Sequence, residues 1–266
     1  MSVSHQKKMT AEAVPAATIL LLRDGTDGLE VLMVKRHHEL EFGGGALVFP
    51  GGRTARSDYD PDLADLVDGA TDWPTEFRAF AIAAIREAFE EAGVLLARDA
   101  SRGELIDAAK LAALDEFREE LEQERVGLLT FLRQHNLRLA CDRLVPFAHW
   151  ITPRNMPKRF DTHFFLARAP LDHAGSHCGR ESVASLWARP HNALASDAPG
   201  KLMFPTRLNL MKLAHAANVE DAFSAARAVP PVAVEPWIER MPGGNFVRIR
   251  EDAGYEITRI PEHEMM

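Results

Sequence analysis

The stretch Arg86-Glu87-Ala88-Phe89-Glu90-Glu91-Ala92-Gly93 puts three carboxylates and one guanidinium within six residues. On a helix, at ~100° per residue, Arg86, Glu87, Glu90 and Glu91 share one arc of about 140°. Ala79 and Ala83 lie on the same arc and leave room above it. Phe77, Ala81, Ile82, Ala84, Ile85, Ala88, Phe89 and Ala92 take the opposite face, which reads as core. These residues allow two chemistries. One is a solvated acidic stripe. The other is a site for a hard divalent cation. Like charges at i,i+3 and i,i+4 repel by roughly a few tenths of a kcal/mol per pair. They also sit near the helix C-terminus, where the dipole disfavours anions. A bound cation relieves both penalties. Mg²⁺ takes carboxylate oxygens and commonly adds phosphate oxygens from a substrate.

Other elements must hold that helix in place. Residues 76–92 have helical periodicity, and Gly93 stands where a helix C-terminus favours glycine. Upstream, ATILLLRD (17–24) and LEVLMVKR (29–36) flank Gly25-Thr26-Asp27-Gly28, which predicts two strands joined by a turn. A short strand at Ala46–Phe49 stops at Pro50-Gly51-Gly52. Residues 53–75 are acidic, carry two prolines, and predict a surface insertion with one short helix. Residues 104–136 predict a helical appendage of two helices, broken near Gly127. Strands follow over 143–153, 159–170 and 182–190, then a helical segment over 206–228. A closing hairpin is expected around Pro242-Gly243-Gly244. This order predicts the α/β class, a sandwich with a mixed sheet. The domain reading is a flexible tail over 1–13 and one domain over 14–260, with insertions at 53–75 and 100–140.

Composition narrows the function classes. The formal net charge of −8, with no basic patch, argues against a nucleic-acid partner. No apolar run approaches the ~20 residues that span a bilayer. No signal peptide is visible, and Cys141 and Cys178 form no CxxC pair. A cytoplasmic location without disulfides is therefore the expectation.

Arg86, Glu87, Glu90, Glu91, Gly93 and Val94 match the core of the Nudix box, R-E-[apolar]-x-E-E-x-G-[apolar]. Ala88 stands where Ile, Leu or Val is usual. The first half of the box is not in its usual place: Asp72 and Arg78 occupy the positions of its glycine and glutamate. The glycine is instead Gly51 or Gly52 in Phe49-Pro50-Gly51-Gly52, and residues 53–75 interrupt the motif. In this interrupted form the chain resembles the subfamily of the animal peroxisomal Nudix coenzyme A diphosphatase and its bacterial relatives. HWITP (149–153), RFDTHFF (159–165) and FPTRLNL (204–210) share in the resemblance.

The resemblance implies a Nudix-type α/β/α sandwich and hydrolysis of a nucleoside diphosphate linked to another group. It implies Mg²⁺ or Mn²⁺ held by Glu87, Glu90, Glu91 and the main-chain carbonyl of Gly51, with Arg86 bracing the glutamates. The substrate it implies is coenzyme A or acyl-coenzyme A. ADP-ribose, NADH or a nucleotide-sensing role are the alternatives. Against the motif of smaller coenzyme A diphosphatases, Leu32, Arg36 and Gly45 match, while Glu41 replaces a second arginine. Arg36 is thus a phosphate-binding candidate, beside Gly51 and Gly52. Lys35, Arg154 and Lys158 are further candidates for a 3′-phosphate. Asp161 and Glu181 are candidate general bases. A homodimer stays open. His173, His177 and Cys178 read as a structural loop rather than a zinc site, and Trp150 and Trp187 as core or pocket wall.

Overall fold

Strand β1 (Ala13–Gly25) turns directly into β2 (Gly28–Arg36), with Leu22 opposite Val31 and Gly25 opposite Gly28. The computed structural model describes residues 11–38, 44–173, 175, 182–195 and 200–265. Glu41, His177, Cys178, Glu181 and residues 1–10 of the expected tail lie outside the described residues. β1 begins at Ala13, the last residue of that tail, because its early residues already pair in parallel with a later strand.

Two short strands, β3 (Leu47–Val48) and β4 (Gly51–Arg53), lead to helix α1 (Thr75–Ala92). Six alanines between positions 79 and 92 suit a helix and keep it slim against the sheet. Gly93 ends it in the left-handed conformation, with φ 62°. The Gly93 and Val94 amides donate to the carbonyls of Phe89 and Ala88, at 3.0 and 3.2 Å. This satisfies carbonyls that a helix end would leave orphaned.

The small ladder of β5 (Ala97–Asp99) and β6 (Leu137–Leu139) brackets the helical insertion. Between them lie α2 (Ala108–Ala113), α3 (Phe117–Glu122) and α4 (Leu128–His135). The expected break at Gly127 is present, but the segment holds three helices rather than two. Leu114 drops into the core and divides the first stretch.

The chain continues through β7 (Val145–Ile151), β8 (Arg159–Arg168), β9 (Ser182–Ala188), α5 (Pro190–Ala193), α6 (Phe204–Leu213), α7 (Val219–Ala228) and β10 (Ala233–Val234). The helical segment expected over 206–228 is two helices. The Asn218 side chain accepts the Asp221 amide and starts the second. β11 (Trp237–Met241) and β12 (Gly244–Arg248) form the closing hairpin, and β13 (Arg259–Pro261) extends it.

The main sheet runs β10-β7-β8-β1-β2-β3, with β4 also on β1 and β9 also on β2. β1 pairs parallel to β8 and antiparallel to β2, so the sheet is mixed. It is covered on both faces, which explains why β1 reads as a continuous apolar run. Ile19 and Leu21 pack with α1, α3 and α4, while Leu20 and Leu22 pack with α6 and α7. Trp150 belongs to the second core. Its indole donates to the Tyr255 hydroxyl at 2.8 Å, which donates to Asn209 Oδ1 at 2.7 Å.

The segment 53–75 departs from the expectation of a purely surface insertion. It holds two 3₁₀ turns, Arg56–Tyr59 and Pro61–Leu66. Leu63, Val67 and Ala70 enter the α1-side core, and Asp58 is buried, while Asp62 and Asp65 stay exposed. A few apolar residues spaced through an acidic stretch suffice to fold it inward.

Gly93→Ala forces a side chain into the left-handed region and is expected to destabilise the fold by about 1–2 kcal/mol. Urea denaturation monitored by circular dichroism measures this; an unchanged midpoint would remove the assigned role of the cap.

Candidate active site

Helix α1 is buried nearly all round, acids included: Glu87, Glu90 and Glu91 are 8%, 3% and 5% exposed. A solvated stripe is therefore ruled out. Their neighbour Arg86 is the counter-ion. Its Nη1 donates to Glu87 Oε1 at 2.9 Å and to Glu90 Oε2 at 2.8 Å. Its Nε and Nη2 grip both oxygens of Asp58, each at 3.0 Å, and Nη2 also donates to the Arg53 carbonyl at 2.9 Å. All five guanidinium N–H groups thus have acceptors. Burial by itself would discharge Arg86; Glu87, Asp58 and Glu90 reverse this and hold it charged well above the usual arginine range.

Asp58 was not singled out from the sequence, where it is one of several aspartates in the insertion. A buried guanidinium needs more acceptors than the two its own helix supplies, and that deficit is the signal a sequence offers. Asp58 is itself fixed by the Ala55 amide, at 2.7 Å. Arg118 was also missed. From α3 its Nε and Nη2 donate to the Glu90 main-chain carbonyl, at 3.3 and 3.1 Å, which fastens the helical insertion to the end of α1.

β4 brings the two glycines to the glutamates. The Gly51 amide donates to Glu91 Oε2 at 2.9 Å. A Cβ on Gly51 would lie 2.5 Å from the Ala17 carbonyl, and one on Gly52 would lie 2.5 Å from Glu87 Oε1. Neither position admits a side chain without displacing backbone or a metal-ligand candidate.

These groups open on a cleft of about 1070 Å³. Arg36, Arg53, Arg56 and Lys158 line it, with Phe160, Thr162, Leu121 and Val126 among the wall residues. Of the phosphate candidates, Arg36 and Lys158 are thus at the cleft. Arg36 Nε is buried with no hydrogen-bond partner among the described residues. Lys35 is not part of the lining, and Arg154 pairs with Glu235 at 3.1 Å. Asp161 is not at the cleft either: its Oδ1 lies 2.5 Å from His149 Nε2. His173 is buried, with Nε2 3.1 Å from the Ile106 carbonyl, a structural contact. Trp187 is half-buried on β9, with Arg23 stacked 4.2 Å over its ring.

The profile of the NUDT19 Nudix domain matches residues 69–206, just over half of the chain. The chain belongs to the Nudix hydrolase family. Among curated proteins it is 30% identical over 212 residues to putative nudix hydrolase 7 of Caenorhabditis elegans, covering 77% of this chain and 63% of that protein. It is 28% identical over 249 residues to the human acyl-coenzyme A diphosphatase NUDT19, covering 88% of this chain and 64% of that one. The chain thus spans less than two thirds of the length of these relatives. A Nudix hydrolase structure from Alicyclobacillus acidocaldarius superposes with a TM-score of 0.64 at 28% identity, over 80% of this chain and 96% of that one. Among the described residues, no helix is long and apolar enough to cross a membrane.

Nudix hydrolases generally use divalent metals, and the residues here fit one. Glu90 Oε1 is buried with no partner among the described residues. Desolvation, opposed by Arg86 and reinforced by the Glu87 charge, pushes the Glu90 carboxyl up to about 8. Arg86 is shared among Asp58, Glu87 and Glu90, and a cation would complete the coordination of the Glu90 carboxylate. Glu87, Glu90 and Glu91 would hold it.

Three outcomes follow. Removing Asp58 by Asp58→Ala leaves two of the five N–H groups of a buried guanidinium without acceptors, at an expected cost of about 3 kcal/mol by denaturant titration. Gly52→Ala pushes Glu87 aside and is expected to weaken Mn²⁺ binding in calorimetry more than it lowers stability. The raised Glu90 carboxyl favours the folded state at low pH, and that contribution is lost as pH rises from about 4.5 to about 8. Mn²⁺ displaces this proton, so its thermal stabilisation is expected to be larger at about pH 8.5 than at about pH 6. Glu90→Gln is expected to flatten the difference.

Proposed function

We propose that the protein hydrolyses the diphosphate of coenzyme A or acyl-coenzyme A, with Mg²⁺ or Mn²⁺ at Glu87, Glu90 and Glu91. The observation that carries the hydrolase reading is the buried Glu90 oxygen, without a partner among the described residues, beside two further carboxylates that line the same cleft. The substrate reading is supported by relatives named acyl-coenzyme A diphosphatase, at 26–28% identity.

A divalent cation at these carboxylates supplies charge neutralisation on the diphosphate and activation of water toward phosphorus. The chain's own residues do the rest. Arg86 locks Glu87 and Glu90 in fixed rotamers, so that the ligand set is preorganised. The Gly51 amide does the same for Glu91. Arg36, whose Nε has no partner among the described residues, and Lys158 offer donors to phosphate oxygens. Phe160, Leu121 and Val126 give the cleft an apolar side for the non-phosphate parts of the substrate. Water oxygen adds to one phosphorus and the bridging P–O bond breaks. Coenzyme A thereby gives 3′,5′-ADP and 4′-phosphopantetheine.

Coenzyme A, an acyl-coenzyme A, ADP-ribose and NADH are to be incubated with the protein and Mg²⁺ or Mn²⁺, beside Glu90→Gln. Release of 3′,5′-ADP from the coenzyme A substrates, reduced by about 10²-fold or more in the variant, is the expected result. Turnover of ADP-ribose or NADH alone would retain the hydrolase and discard the coenzyme A assignment. Tight nucleotide binding with no turnover would replace both by a sensing role.

A further inference from the structure

A second group of metal-binding side chains stands apart from the glutamates. His149 on β7 and His163 on β8 are directly opposed in the antiparallel ladder. Asp161 precedes His163 by two residues and so shares its face of the sheet. One ligand atom from each of the three lies within 4.8 Å of the others. The two imidazoles stack at 3.9 Å, 20° from parallel.

A hydrogen bond accounts for His149 and Asp161, whose Nε2 and Oδ1 are 2.5 Å apart. It does not explain the third member. The His163 ring makes no hydrogen bond among the described residues, and burial keeps it a neutral base near physiological pH. Phe80 and Phe77 pack against it, with ring centroids at 4.3 and 5.3 Å, and fix its position. An imidazole held beside a histidine–carboxylate pair, with its nitrogen unused, is a donor set waiting for an acceptor.

We propose that His149, Asp161 and His163 form a second cation site, selective for a transition-metal divalent ion such as Zn²⁺ or Co²⁺. Two imidazoles and one carboxylate match the preference of these ions, whereas Mg²⁺ prefers the all-oxygen glutamate set. Phe80, which touches His163, lies ten residues before Glu90, about 15 Å along α1. The two sites therefore share no ligand. The His149 and Asp161 side chains are 19% and 34% exposed, which leaves a route for the ion and a place for solvent in its remaining coordination. Stacked rings hold their donors in parallel planes, so loading requires one ring to tilt. His163 is held by Phe77 and Phe80, so the ring that tilts is His149, which exchanges its contact with Asp161 for the ion. Phe160 and Thr162 alternate with Asp161 along β8 and face the cleft. An ion here would staple β7 to the strand that forms the cleft wall.

The test is Co²⁺ titration of the intact chain in excess Mg²⁺, which occupies the glutamates. Visible ligand-field bands report nitrogen ligation, and Zn²⁺-induced thermal shift gives a second readout. Bands and shift are expected in the wild-type protein and in Glu90→Gln. Both are expected to weaken by more than about tenfold in His149→Ala and in Asp161→Asn. His149→Gln, which keeps bulk and polarity, serves if the alanine variant fails to fold. Absence of Co²⁺ binding under these conditions would overturn the proposal. So would binding that survives changes at both 149 and 161, or that vanishes only in Glu90→Gln.

Discussion

The site depends on one buried guanidinium. Arg86 spends all five of its donors on Asp58, Glu87, Glu90 and the Arg53 carbonyl, and in doing so joins β4, the 53–75 insertion and α1. Three acids in the last two turns of a helix repel one another and oppose its dipole. Taking them out of water makes that worse, because the charges lose hydration. Arg86 makes the arrangement tolerable without neutralising it. The glutamates are thereby fixed, and one Glu90 oxygen has no partner among the described residues, which suits the divalent ion proposed for this site.

The two insertions frame this centre rather than decorate it. The acidic segment between Gly52 and α1 folds back to place Asp58 against Arg86 and to line one side of the cleft. The helical segment returns through β5 and β6, grips the Glu90 carbonyl with Arg118, and contributes Leu121 and Val126 to another side. Beneath them the sheet is buried on both faces, and α6, α7 and the C-terminal strands seal the far side through the Trp150–Tyr255–Asn209 chain. A centre built from parts distant in sequence is held rigid because each part is anchored in one of the two cores.

Residues whose meaning is local were legible in the sequence. The spacing of Arg86, Glu87, Glu90 and Glu91 placed them on one helix face, and Gly93 marked its end, because helical period and a left-handed cap are properties of a few neighbouring residues. The paired strands around Gly25–Gly28 and the break at Gly127 were legible for the same reason. Gly51 and Gly52 stood out as glycines, and the structure supplies the cause: a Cβ there would strike Ala17 or Glu87.

Tertiary structure alone decided the rest. Burial separates Asp58 from Asp60, Asp62 and Asp65, yet nothing in its own neighbourhood distinguishes it in sequence. Arg118 gains its role from a helix packed 28 residues away from its acceptor. Arg36 reaches the cleft while its strand neighbour Lys35 does not, and in the connection between β7 and β8 Lys158 reaches it while Arg154 is taken by Glu235. Asp161 was considered beside the glutamates but stands with His149 and His163, because register across two strands, not distance along the chain, decides which side chains meet. The sequence by itself determined the helix and the face on which its acids lie. Which charges balance them, and which walls enclose them, was decided by long-range packing, since only folding brings those atoms within hydrogen-bonding range.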